Sequence, residues 1–89
     1  MSRYTVVRLD EAQNGLAAIW MRATNRSAIT AVAALVDQEL SADPLSKGTE
    51  VHEGLFAFRR GPIQVLFSVR EPDRIVEVAK VKSAPAEGI

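Results

Sequence analysis

The chain has 89 residues and a mass of 9.7 kDa, enough for one two-layer core and too short for a separate deep substrate cavity. It is 47% hydrophobic and 25% charged, the profile of an ordinary globular domain rather than a disordered one. With no cysteine and one histidine, disulfide scaffolds, thiolate zinc sites and histidine-rich metal centres are all excluded. The formal net charge is zero, whereas domains that bind nucleic acid through phosphates are usually strongly basic. The balance is uneven, however. Residues 1–54 hold five basic residues against seven acidic ones, and residues 55–89 hold six against four. The longest unbroken apolar run, Ala31 to Val36, is far short of a membrane span, and the first residues lack the apolar stretch of a secretory signal. A cytoplasmic location is therefore expected.

In chain order, Tyr4 to Leu9 is β-branched and aromatic and predicts a first strand. Asp10, with Gln13 three residues on, predicts an N-cap and capping box. The helix they open carries Ala12, Leu16, Ile19, Trp20 and Ala23 at helical spacing, and Gly15 weakens it by about 1 kcal/mol relative to alanine. The polar stretch Thr24 to Ser27 predicts a helix–helix turn. Ile29, Val32, Ala33, Val36 and Leu40 then form one apolar stripe, with Asp37 and Glu39 expected to face away from it. Pro44 ends this second helix and biases Asp43 toward extended geometry.

After Gly48 the period changes from 3.6 to 2. Leu55 to Arg59 alternates, Arg60-Gly61-Pro62 turns, and Ile63, Val65, Phe67 and Val69 form the next alternating face. Glu71 to Arg74 places proline where a type I turn takes it, and Ile75 to Val81 is a β-branched last strand. A single domain over residues 1–83 and a frayed tail over 84–89 follow. The fold class is α+β: βααβββ, a curved antiparallel sheet from the last three strands with two helices packed on one face. Its expected core includes Ile29, Val32, Val36, Ile63, Val65 and Phe67.

Several residues carry candidate chemistry. Arg59 and Arg60 at the hairpin tip suit a phosphate or a partner's carboxylate, or serve as a solvated turn. Gln64 shares a strand face with Leu66, Ser68 and Arg70, the face turned away from the helices. Lys80 and Lys82 share a face with Val76 and Val78 on a regular last strand. The expected open face is thus lined by Leu55, Ala57, Leu66, Val76 and Val78 and rimmed by Arg59, Arg70, Lys80 and Lys82. Adjacent strand residues point to opposite faces, so His52 and Glu53 make no dyad, and His52 reads as a surface-loop residue. Trp20 reads as packing between elements. No phosphate loop, nucleophile elbow or metal-spaced carboxylate cluster occurs, so no metal or cofactor is expected.

The order of elements, with Leu16-Ala17-Ala18-Ile19-Trp20, Glu39-Leu40-Ser41-Ala42-Asp43-Pro44, Lys47-Gly48, Arg59 to Val69 and Arg74 to Val81, resembles the RelE/ParE superfamily of bacterial toxin–antitoxin toxins. The likeness runs from Tyr4 to Lys82. It implies a toxin neutralised by a small antitoxin, acting on ribosome-bound messenger RNA or on DNA gyrase. A non-catalytic interaction module on the same fold is the alternative, with a second copy of the chain on the sheet face when the partner is absent. Members that cleave RNA carry an arginine where this chain has Gln64, and a tyrosine or histidine beyond the last strand, where it has Ser83-Ala84-Pro85. Phosphodiester cleavage needs a proton acceptor, a donor and charge stabilisation. Weak or absent ribonuclease activity is therefore expected, with no catalytic residue assigned. The candidates for contacting RNA or a partner are Arg59, Arg60, Gln64, Arg70, Lys80 and Lys82.

Overall fold

The computed structural model describes residues 3–83. Strand β1 (Thr5–Arg8) leads into helices α1 (Asp10–Arg22) and α2 (Arg26–Ala42) and a single turn α3 (Pro44–Lys47). Strands β2 (Thr49–His52), β3 (Leu55–Arg60), β4 (Ile63–Arg70) and β5 (Ile75–Ser83) follow. The predicted βααβββ frame is present, with α3 and β2 added. The sheet order is β1-β5-β4-β3-β2. β2 to β5 pair antiparallel, and β1 lies parallel to β5 at one edge, while α1, α2 and α3 carry the chain across to β2 at the other. β2 escapes prediction because it is an edge strand exposed along its whole length, so no burial pattern marks it.

The core is formed where α2 crosses the sheet. Ile29, Val36 and Leu40 meet Phe58, Ile63, Val65 and Phe67, and Val32 packs half-buried against them. Phe56 and Phe67 stack with centroids 5.6 Å apart. Gly48 passes so close to this pair that a Cβ there would lie 2.6 Å from the Phe67 ring. Gly15 has a similar role in α1, where a Cβ would sit 2.2 Å from the carbonyl oxygen of Val81. The glycine that weakens the helix locally is what lets α1 seat on β5.

The cap of α1 differs from expectation, and that of α2 falls within the expected turn. The N-cap of α1 is Leu9, without a side-chain bond. Its N–H still donates to Val78 O, so the strand ladder runs to the helix start and Asp10 falls inside the first turn. There Asp10 and Glu11 act on the helix dipole instead. In α2, Asn25 Oδ1 accepts from Ala28 N, and Arg26 donates back to the Trp20 and Met21 carbonyls at 3.1 and 3.2 Å. One residue starts α2 and the next closes α1.

The last strand carries the main correction. Phe67 pairs with Val78 but Leu66 pairs with Lys80, so the register shifts by one residue at Ala79. A regular strand would set Val76 and Val78 on the face of Lys80 and Lys82. The bulge separates them. Val76 and Val78 are buried at 0% and 1% exposure with Val81, while Lys80 and Lys82 remain on the opposite face. Asp37 and Glu39 also fail to face solvent alone: each reaches a strand, Asp37 to Arg8 and Glu39 to Arg60.

Candidate functional site

The open sheet face is built from the residues of β3, β4 and β5 that alternate with the core. Arg59 pairs across the ladder with Gln64, and Gln64 with Lys82, setting two cations and an amide in one cross-strand row. The next row runs Ala57, Leu66, Lys80. Leu55, Ala57 and Leu66 are half-buried on this face as expected. With Val76 and Val78 turned into the core, its apolar patch is smaller than the sequence predicts.

The six candidate residues do not converge. Arg60 lies on the helix side, its guanidinium 3.2 Å from Glu39 on α2. Arg70 is 3.3 Å from Glu77 and lies six residues along β4 from Gln64, about 20 Å of extended strand away from the basic row. Lys80 reaches Glu11 of α1 at 3.4 Å. Lys82 makes no ion pair or side-chain hydrogen bond among the described residues, and it stands beside Gln64 and Arg59. The sheet therefore brings Arg59, Gln64, Lys82 and Lys80 together and sets Arg60 and Arg70 elsewhere.

His52 ends β2 opposite Leu55, so it belongs to an exposed strand edge rather than a loop. Leu55 and Arg59 are four residues apart, about 13 Å along an extended strand. The histidine thus lies at the far end of the face from the basic row. No histidine, tyrosine or carboxylate neighbours Gln64 across the ladder. This arrangement can bind an anion, a phosphate or a carboxylate; among the described residues the ladder neighbours of Gln64 supply arginine and lysine but no imidazole, phenol or carboxylate for proton transfer.

A second concave surface was missed by sequence reasoning. α1 and α2 run antiparallel and leave a groove of about 620 Å³ on their outer side, lined by Leu16, Ala17, Trp20, Met21, Ala33 and Asp37. Trp20 closes one end, donating to Thr30 Oγ1 at 3.2 Å beneath the Arg26 guanidinium, 4.8 Å above its ring. The Arg8–Asp37 pair closes the other, and burial there raises the Asp37 carboxyl pKa more than Arg8 lowers it. The available signal was the width of the apolar arc on α1. Leu16, Ala17, Trp20 and Met21 cover more of the helix than one buried stripe needs.

By sequence, neither a protein-family model nor a curated protein matches the chain. By structure, it is similar to a protein in the RelBE2 toxin–antitoxin complex of Mycobacterium tuberculosis, with a TM-score of 0.77 and 24% identity. That match covers 92% of this chain and 99% of the other. It is also similar to a protein in the archaeal RelE–RelB complex of Pyrococcus horikoshii OT3, with a TM-score of 0.67 and 17% identity over 90% and 93% of the two chains. The fold is RelE-like.

Proposed function

We propose that this chain is the toxin component of a type II toxin–antitoxin system, held inactive by a small antitoxin, with little or no ribonuclease activity of its own. The observation that carries the reading is the RelE-like fold extended over 92% of the chain, combined with a basic row in which, among the described residues, Gln64 has no histidine, tyrosine or carboxylate as a ladder neighbour. Arg59, Lys80 and Lys82 would attract phosphate or carboxylate, and Gln64 would donate hydrogen bonds to it without adding charge. Binding follows from that set; cleavage does not. The same deficit favours a target other than messenger RNA, such as DNA gyrase, over ribosome-dependent cutting. A non-catalytic interaction module on this fold is the second reading that it supports.

The antitoxin would contact the open sheet face through the basic row, since few apolar residues remain there. Among the described residues no helix is long and apolar enough to cross a membrane, and the proposed site of action is the cytoplasm. The deciding experiment is induced expression of the chain alone and with the product of the adjacent gene. Growth arrest relieved by the neighbour, with no new cuts in mapped messenger RNA, is the expected result. Growth unaffected by expression alone would remove the toxin assignment, and abundant cleavage would overturn the reading of Gln64. Introducing arginine by Gln64→Arg is expected to change cleavage little, because the proton acceptor and donor would still be missing.

A further inference from the structure

The outer face of the α1–α2 hairpin combines exposed apolar surface with a charge gradient along its length. Met21 is 67% exposed and Trp20 41%, although both belong to helices whose other side is well packed. Between Trp20 and Ala31 the chain carries Arg22 and Arg26 and no acidic residue. The opposite end of the hairpin carries Asp10, Glu11 and Asp37. Helical spacing puts Asp10, Ala17 and Met21 on one stripe of α1, and Arg26, Thr30, Ala33 and Asp37 on one stripe of α2. Asp37 is paired with Arg8 and Glu11 with Lys80, so Asp10 is the acid left open at that end, against Arg22 and Arg26 at the other.

We propose that this face is a self-association surface on which two copies of the chain pair antiparallel about a two-fold axis near Ala17 and Ala34. Such a contact is isologous, so every complementary pair occurs twice. It brings Arg26 of each copy toward Asp10 of its partner. Arg26 has carbonyl partners but no carboxylate, and Asp10 has no side-chain partner among the described residues. Ala17 and Ala34 at the centre let the helices approach closely, and Met21 from each copy covers the acidic end of the other groove. A net charge of zero removes the long-range repulsion that keeps many small domains apart. A pair of hairpin faces this size would bury roughly 1,000 Å² in total, at the low end of specific interfaces, where transient pairing is found. The inference does not depend on the toxin reading.

The test is sedimentation equilibrium of the purified chain from low to high micromolar concentration. The expected mass rises from 9.7 kDa toward twice that value, and salt shifts the equilibrium back toward monomer. Met21→Glu and Ala34→Glu change exposed residues and are expected to weaken association at least about tenfold while leaving the far-ultraviolet circular dichroism unchanged. Arg26→Glu and Asp10→Arg are each expected to be monomeric alone, and their equimolar mixture to regain the dimer mass, because the swapped charges meet across the axis. A chain that is monomeric at every concentration overturns the proposal, as does a dimer that survives both Met21→Glu and Ala34→Glu. A monomer that loses an antitoxin through Met21→Glu would assign the face to a different protein and equally overturn it.

Discussion

The two exposed faces of this molecule handle their side chains in opposite ways. On the open sheet face charge is abundant but largely neutralised from within, Arg70 by Glu77 and Lys80 by Glu11. On the hairpin face charge is sparse and apolar groups remain in solvent, Met21 and Trp20 above all. A basic strand residue in the sequence is therefore a poor guide to where a partner docks, since its neutralising acid can lie on a distant element. Exposed apolar groups beside a groove have no such internal partner. The comparison separates groups that stabilise the fold from groups left for something else.

The sharpest way to break that comparison is to unseat α1, which both forms one wall of the groove and packs on β5. Gly15→Ala gains about 1 kcal/mol of helix propensity. It also places a methyl group 2.2 Å from the Val81 carbonyl oxygen, which belongs to backbone and cannot rotate aside. Overpacking of this kind outweighs the local gain, so a net loss of about 3 kcal/mol is expected in urea unfolding. A more stable Gly15→Ala variant would show that α1 stands off the sheet.

A smaller effect distinguishes neutralised cations from unpaired ones. Arg60 pairs with Glu39, whose side chain is only 19% exposed, so Arg60→Ala leaves a largely desolvated carboxylate alone. About 1 kcal/mol of destabilisation is expected. Lys82→Ala, which breaks no ion pair among the described residues, is expected within about 0.5 kcal/mol of the parent. Under the proposed function its effect falls on antitoxin binding instead. Equal losses for the two variants would erase the distinction.

How much of this was readable beforehand depended on which forces leave a periodic trace. The α2 stripe and the β4 alternation were legible because Ile29, Val36 and Leu40 face Ile63, Val65 and Phe67 across one interface, and burial imposes both periods. β5 looked equally regular, yet one residue at Ala79 reverses its second half. Val76, Val78 and Val81 are all β-branched and so carry no local mark of the bulge. The Arg8–Asp37 and Arg60–Glu39 pairs were invisible for a different reason: each joins residues at least twenty apart, and spacing within one element says nothing about them. The RelE-like frame survived these errors because it rests on element order. The candidate site did not survive intact, because it rests on which way single side chains point.

Asp37 gives the smallest effect, and its sign can be worked out in advance. Burial raises its pKa in the folded chain above the ordinary value of 3.8, the charge and hydrogen bond of Arg8 offsetting only part of that. The folded chain therefore binds more protons than the unfolded chain between those two values. The contribution of Asp37 to stability is then complete below about pH 3.8 and is lost as pH rises through the higher folded value. Asp37→Asn removes this titration. It also leaves Arg8 without its counter-charge, a loss that enters as a constant offset between the two proteins. The variant is expected to gain stability relative to the parent as pH climbs through that window, and to run parallel to it at higher pH. Because the Asp37 side chain is 38% exposed, solvent screening keeps the change small. Urea midpoints for both proteins across the acid range measure it. A variant that loses ground as pH rises would mean that Arg8 outweighs burial, and that the acidic end of the groove is already satisfied within the chain.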